Sequence, residues 1–197
     1  MGMSVFPTLI HEFDFSNFTE VESDIIKSVY KEQKDDSIGI TISNMGGWHS
    51  KDLPTNHFIS NIILTELGKY FSENNIFKEG TSLSLQNVWI IINNKGHYNT
   101  MHTHPGSDLS GVCWIKTPQD CGRLEFENPN SHSRHNEINC YTDNFKQGTG
   151  IYQSWWYEPQ VGRIVIFPAS LYHQVKPNNS NQDRISISFN INLTEKN

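Results

Sequence analysis

The sequence predicts a mainly β domain, a sandwich or barrel of antiparallel strands backed by two N-terminal helices. Three observations carry this expectation. Apolar residues recur at helical spacing up to about residue 75, and at a period of two from residue 81. The later apolar runs are short, and Gly, Pro, Asn and Asp clusters separate them. No internal repeat or linker interrupts the chain. Its 197 residues therefore read as one domain, 1–197, with helical support over about 1–75 and a β core over about 76–195.

The elements follow in order. Val5 to Phe15 alternates loosely and reads as a strand. Thr19-Glu-Val-Glu22 has capping-box spacing, which predicts a helix with Thr19 as its N-cap and Val21, Ile25, Ile26, Val29 and Tyr30 on one face. Ser37 to Ser43 reads as a short strand, followed by the Gly-rich bend Met45-Gly-Gly-Trp-His49. A second helix is expected from Pro54 onward, with Phe58, Ile59, Ile62, Ile63, Leu67, Tyr70 and Phe71 at helical spacing. Both helices read as supports that cover a core.

Short strands are then expected at Leu83/Leu85, Asn87 to Ile92, Leu109 to Ile115, Leu124/Phe126, Ile151/Tyr152, Ile164 to Phe167, Gln174/Val175 and Ile185 to Leu193. The polar, aperiodic stretch from Asn128 to Gly150 reads as a long loop over one end of the β core. The last strand is sided. Ile185, Ile187, Phe189, Ile191 and Leu193 point one way, and Arg184, Ser186, Ser188, Asn190 and Asn192 the other. The polar face meets either water at an edge or a polar cavity. An Arg with no acid on its own face of the strand, followed by hydroxyls, suits the wall of an anion-binding cavity.

Composition narrows the function classes. A net charge of −6, from 15 basic and 21 acidic residues, gives no electrostatic footprint for nucleic acid, so no such partner is expected. Cys113, Cys121 and Cys140 are odd in number and lack Cys-x-x-Cys spacing, which argues against a disulfide framework and a structural zinc site. Cys113 reads as a small buried hydrophobe. The longest apolar run, Val88 to Ile92, is far short of a membrane span, and the first residues lack the pattern of a secretory signal. A cytoplasmic setting without a membrane partner is expected.

The chemistry-bearing stretch is Asn99-Thr-Met-His102-Thr-His104-Pro-Gly-Ser-Asp-Leu-Ser-Gly111. On an extended backbone, residues two apart point to the same side, so His102 and His104 can address one metal ion. Alone, the pair reads as readily as two solvated loop histidines. It gains weight from His173, which follows the strand Gly162 to Phe167 and a Pro168-Ala-Ser-Leu turn. Arg184-x-Ser186 comes eleven residues further on.

In this order the motifs resemble those of iron(II)/2-oxoglutarate-dependent oxygenases of the prolyl-4-hydroxylase-like kind. The nearest likeness is to a small bacterial and phage branch with the signature His-x-His-Pro-x-Ser-x-Leu-Ser-Gly. That signature stands here as His102-Thr-His-Pro-Gly-Ser-Asp-Leu-Ser-Gly111. Further matches are Gly47-Trp-His-Ser-Lys-Asp-Leu53, Gly122-Arg-Leu-Glu-Phe-Glu-Asn-Pro129, Gly162-Arg-Ile-Val-Ile-Phe-Pro168, His173-Gln-Val-Lys-Pro177 and Arg184-Ile-Ser-Ile-Ser-Phe-Asn190.

The resemblance implies a double-stranded β-helix (jelly-roll, cupin-like) holding one Fe(II), with 2-oxoglutarate as cosubstrate and ascorbate as an in vitro supplement. It implies a dioxygenase that hydroxylates a small-molecule or peptidyl substrate, releasing succinate and CO2; homo-oligomerisation is left open. Carried over, His102 is the first metal ligand and His173 the distal one. Arg184 with Ser186 clamps the C5 carboxylate, for which a planar guanidinium suits better than an ammonium. Asn99, just before the first ligand, either bonds the cosubstrate or caps the turn. No side chain beyond the ligands is required as a general base.

The chain departs from the family pattern at His104, which stands where a carboxylate ligand is usual. A His102, His104, His173 set leaves the ion both of its charges, which weakens retention of Fe(II) and admits zinc or nickel. Asp108 or Glu125 is the alternative source of a carboxylate. Trp89, with Trp48 and His49, is a candidate for the pocket wall or for core packing. Trp155-Trp-Tyr157 reads as a substrate lip or as packing beneath the barrel. His11, His57, His132 and His135 read as non-ligands.

Two rival readings remain at the level of sequence. The spacing from Gly96 to His102, His104 and Asp108 partly fits a cupin-type dioxygenase that needs no 2-oxoglutarate. Against it, ten residues separate Gly162 from His173, and Arg184 and Ser186 have no role there. The second rival is a metal- or ligand-binding barrel without turnover.

Overall fold

The computed structural model describes residues 5–130 and 137–195. Within them the mainly β expectation holds, with eleven strands and four helices. The strands are β1 (His11–Asp14), β2 (Asn44–Met45), β3 (Trp48–His49), β4 (Thr81–Asn93), β5 (Tyr98–His102), β6 (Leu109–Lys116), β7 (Leu124–Glu127), β8 (Ser154–Tyr157), β9 (Arg163–Pro168), β10 (His173–Val175) and β11 (Arg184–Glu195). The helices are α1 (Phe18–Asp35), α2 (Phe58–Glu73), α3 (Glu137–Cys140) and α4 (Asp143–Thr149). The strands form a six-stranded sheet, ordered β1-β9-β6-β11-β4-β3, and a five-stranded sheet, ordered β2-β5-β10-β7-β8. Neighbours pair antiparallel throughout.

Strand alternation sorts the six-stranded sheet into two environments. Ile185, Ile187, Phe189 and Ile191 of β11 pack in one core cluster with Val88, Ile90 and Ile92 of β4 and Ile164 and Ile166 of β9. Ile25 and Val29 of α1 and Ile59, Ile63, Leu67 and Phe71 of α2 complete it, so the helices do cover a core. Each large apolar side chain buried there contributes about 1.5–3 kcal/mol relative to exposure. The opposite face meets the five-stranded sheet. There Trp114, Val165 and Phe167 join Leu124 and Phe126 of β7 in a smaller cluster. The space beside that cluster is the cavity described below.

Several boundaries differ from the sequence expectation. Helix α1 begins at Phe18, because Asn17 takes the left-handed conformation (φ 54°) that Asn tolerates, so Thr19 lies inside the helix. Helix α2 begins at Phe58, and the His57 ring accepts from the Ile59 amide as its cap. The strand expected over Ser37 to Ser43 is absent. Ile38 and Ile42 alternate but stay 89% and 70% exposed, and Gly39 turns the chain at φ +63°. The expected pair of strands from Leu83 to Ile92 is one long β4 with a register shift near Asn190. The strand expected at Ile151/Tyr152 starts later, at Ser154, where the aromatic run pairs with β7. The stretch expected as a loop carries α3 and α4, while His132 and His135 lie outside the described residues.

Candidate metal centre

Four short stretches bring the three histidines together. His102 ends β5 and pairs with His173, which begins β10. His104 follows two residues later, its backbone amide donating to Ala169 O at 2.8 Å. The ring centroids stand 4.2 Å apart for His102 and His173, 5.0 Å for His102 and His104, and 5.1 Å for His104 and His173. One ring nitrogen from each lies within 4.8 Å of the others, a grouping that could hold a metal ion.

Hydrogen bonding fixes which nitrogen faces inward. His102 Nδ1 lies 2.6 Å from Thr100 O, and His173 Nδ1 lies 2.9 Å from Leu171 O. A carbonyl only accepts, so each Nδ1 carries the proton and each Nε2 presents a lone pair. His104 Nε2 and His173 Nε2 are 3.3 Å apart. Two nitrogens each about 2.1 Å from a common ion stand about 3.0–3.4 Å apart at cis or tetrahedral angles. The donor set therefore fits a divalent ion. Burial, first, and then the neighbouring imidazoles lower the pKa of His104 to about 4 and of His173 to about 3; burial also lowers that of His102. All three are neutral at physiological pH, as ligands must be.

No carboxylate of the described residues joins the cluster. Asp108 is turned away, its Oδ2 accepting the Leu193 amide at 2.7 Å. Glu125 faces the outside of β7, where Lys176, Arg123 and Gln174 hold it. His104 thus stands in the cluster itself, packed against Trp89 with ring centroids 5.5 Å apart.

Arg184 lies in the wall of the same cavity, about 370 Å³ in volume and lined from both sheets. It is 2% exposed. Its Nη1 donates to three backbone carbonyls, Cys121 O at 2.5 Å and Gly122 O and Lys176 O at 3.1 Å. Its Nη2 is buried and has no partner among the described residues. Burial pushes the guanidinium down to about 10, so it stays charged at neutral pH. A buried, charged donor without a partner is costly, on the order of 1–3 kcal/mol or more. A carboxylate is the kind of group that would satisfy it. Ser186, Ser188 and Asn190 follow it along the same wall. The polar face of β11 therefore does line a cavity, with Asn192 lying beyond it.

Among the other candidates, Asn99 is in the wall but already engaged, its amide donating to Ser43 Oγ at 3.1 Å and its oxygen accepting from Asn93 at 3.3 Å. Trp89 and His49 line the cavity, whereas Trp48 is in the core with its indole N–H on Asp36 O. Trp155 and Trp156 sit on the edge strand β8, 41% and 44% exposed and outside the wall. His11 packs against Tyr70 and Phe71, and His57 caps α2. The carbonyl cradle of Arg184 carries no side-chain signal; its one trace in the sequence is Gly122, whose φ of +84° lets the two backbones approach.

The fold thus sets three histidines that could hold a metal ion in one cavity with a buried, partly unpartnered arginine. Residues 87–190 match a family model described as "Putative 2OG-Fe(II) oxygenase", and the chain belongs to that family, whose members are enzymes using iron(II) and 2-oxoglutarate. No curated protein matches the sequence. Among solved structures, a Pseudomonas putida prolyl-4-hydroxylase superposes with a TM-score of 0.64 at 11% identity, covering 96% of this chain and 94% of that one. A viral collagen prolyl hydroxylase from Paramecium Bursaria Chlorella virus-1, in complex with 2-oxoglutarate, gives 0.58 at 13% identity over 92% and 94%. HygX from Streptomyces hygroscopicus, with nickel and 2-oxoglutarate bound, gives 0.62 at 9% identity over 94% and 83%. These likenesses concern the fold. No helix of the described residues is long and apolar enough to cross a membrane.

Proposed function

We propose that His102, His104 and His173 hold the iron, that Arg184 with Ser186 holds the C5 carboxylate of 2-oxoglutarate, and that the enzyme hydroxylates a small-molecule or peptidyl substrate. The observation that carries this reading is the partnerless, buried Nη2 of Arg184, in one cavity with three inward-facing imidazoles. When bound, the iron and cosubstrate supply an oxygen atom from O2 to a substrate C–H bond, with 2-oxoglutarate leaving as succinate and CO2. The chain's own residues bind and orient. Thr100 O and Leu171 O fix the tautomers of two ligands, and the carbonyl cradle holds Arg184 in the cavity wall with its Nη2 left for the cosubstrate. Asn99, tied to Ser43 and Asn93, walls the cosubstrate rather than capping a turn. Trp89, Trp114 and Phe167 line the cavity with apolar surface that keeps water from the reacting centre.

The test is succinate formation from 2-oxoglutarate by protein loaded with Fe(II) under anaerobic conditions and then exposed to air. Saturable 2-oxoglutarate binding with measurable succinate supports the reading. Binding of iron without 2-oxoglutarate binding at millimolar concentration would leave a metal-dependent enzyme or a binding protein of another kind.

A further inference from the structure

β11 gives the cavity a direction. Ser188 pairs with Trp89, whose ring lies 5.5 Å from that of His104, so the histidine cluster sits midway along the strand. Arg184 stands at one end and Asn190 at the other, about 20 Å apart along six extended residues. On the reading above, 2-oxoglutarate spans the histidines and Arg184, which leaves the Asn190 end for the substrate.

That end is built of a hydrogen-bonded chain whose last acceptor is a carboxylate. The Ser110 hydroxyl donates to Asn190 Oδ1 at 2.7 Å, the Asn190 amide to Asn87 Oδ1 at 3.4 Å, and the Asn87 amide to Asp52 Oδ2 at 2.6 Å. The chain of side chains crosses β6, β11 and β4 and ends on Asp52, the only carboxylate in the cavity wall among the described residues. Asp52 belongs to a strap that starts with β3 and runs along β4, held by Ser50 N to Ile90 O and Leu53 N to Val88 O.

His49, on the same strap, supplies an independent observation. Its ring is 4% exposed, lies parallel to that of Trp89 at 5.8 Å, and lines the cavity. Its Nδ1 is 2.6 Å from Ser50 O, so the proton is on Nδ1 and Nε2 is a bare lone pair with no hydrogen-bond partner among the described residues. Nothing in the fold requires an acceptor there. A ring nitrogen without a partner, on a buried residue in a cavity wall, is a group waiting for a donor.

We propose that the substrate of this oxygenase carries a cationic nitrogen, an ammonium or guanidinium, seated on Asp52, and a second N–H or O–H donor received by His49 Nε2. The inference rests on the placement of 2-oxoglutarate at the Arg184 end. The electrostatics are consistent with it. A divalent ion and a dianionic cosubstrate cancel in net charge, and Arg184, the one fixed cation of the wall, lies at the far end against the cosubstrate's own carboxylate. Asp52 and His49 are then specificity-determining residues, Asp52 toward the Asn190 end and His49 stacked on Trp89 beside the histidine cluster.

The experiment loads the full-length protein with Ni(II) and 2-oxoglutarate and screens paired probes by saturation-transfer NMR. The pairs are L-arginine against L-citrulline, L-lysine against L-norleucine, and agmatine against pentanol. At least one cationic probe is expected to bind 10-fold or more tightly than its uncharged partner. Asp52→Asn, which keeps the Asn87 contact and the side-chain volume, is expected to remove that preference while 2-oxoglutarate affinity stays within twofold. His49→Phe, which keeps the stacking on Trp89, is expected to weaken the same probe at least fivefold. Equal binding of charged and uncharged partners, no probe binding at all, or an Asp52→Asn protein that still prefers the cation would overturn the proposal. Loss of 2-oxoglutarate binding in the unaltered protein would remove the underlying reading and the proposal together, and is seen before any probe is added.

Discussion

Replacing Arg184 by Lys separates charge from geometry at the cosubstrate seat. The guanidinium divides its work: Nη1 serves the carbonyls of Cys121, Gly122 and Lys176, and Nη2 has no partner among the described residues. A lysine ammonium has three N–H donors and no second nitrogen. Three carbonyls are enough to occupy all of them, so Arg184→Lys keeps a cation in the wall but leaves no directed donor for the C5 carboxylate. The loss is at least one charge-assisted hydrogen bond, about 1.5–3 kcal/mol. That corresponds to about a 10- to 150-fold rise in the Kd for 2-oxoglutarate. Calorimetric titration of 2-oxoglutarate into Ni(II)-loaded wild type and variant reads it directly, with metal affinity as the control, since no ligand is touched. A variant that binds 2-oxoglutarate within about threefold of wild type, with metal retained, would show that Arg184 is a structural pin and not the seat.

Three further outcomes follow from the same coordinates. Above pH 7 the buried histidines are neutral both folded and unfolded; as pH falls below about 6.5 the unfolded chain takes up protons that His173 and His104, held at about 3 and 4, refuse. The metal-free protein should therefore lose stability between pH 6.5 and 4, by up to about 1.4 kcal/mol per pH unit from His173 and less from the more open His102 and His104; urea midpoints that do not change over that window would refute this. Gly122→Ala places a Cβ 2.2 Å from Lys176 O at a φ of +84°, so it should destabilise by about 2 kcal/mol or more and, by shifting a carbonyl that holds Arg184, weaken 2-oxoglutarate binding as well. Asp108→Asn and Glu125→Gln should leave Fe(II) affinity within about twofold, whereas His104→Ala should lower it more than the 10- to 100-fold (about) typical of groups outside the ligand set; an Asp108 or Glu125 variant that loses metal would place a carboxylate at the ion after all.

Much of this was legible because β11 announces its two faces. Strict alternation over residues 184–193 placed Ile185, Ile187, Phe189 and Ile191 in the core and Arg184, Ser186, Ser188 and Asn190 in the cavity, since a strand has only two sides. The histidines were readable for a similar reason, two of them in phase and the third beside a turn. Alternation failed where no partner strand exists to bury one face, as with Ile38 and Ile42. Capping-box spacing misplaced the start of α1 because Phe18 is wanted in the core against Phe15, with their rings 5.6 Å apart, and Asn17 could turn the chain one step early. The carbonyl cradle of Arg184 and the Asp52–Asn87–Asn190 row were beyond reach, because each depends on which backbone or amide of a distant strand lies opposite.

On the proposed ligand set, His104 in place of a carboxylate has consequences that the rest of the site partly offsets. Three neutral imidazoles leave a divalent ion its full charge, inside a cavity whose β11 wall offers hydroxyls and amides but one further cation. Two of the imidazoles are made better donors by their carbonyl partners, Thr100 O and Leu171 O, which draw on the Nδ1 proton and enrich Nε2. His104 is fixed differently, by its backbone amide on Ala169 O and by its ring against Trp89. It is thus held in place by its backbone and by packing, and not by a ring hydrogen bond to a carbonyl. The charge that a carboxylate would have cancelled must then be met by the dianionic cosubstrate. Metal and 2-oxoglutarate should accordingly stabilise each other more strongly here than in a site with an acidic ligand, and by reciprocity each should hold the other to the same degree. On the proposed ligand set, retention of iron is for that reason a property of the cavity as a whole, with Arg184 as much a part of it as the histidines.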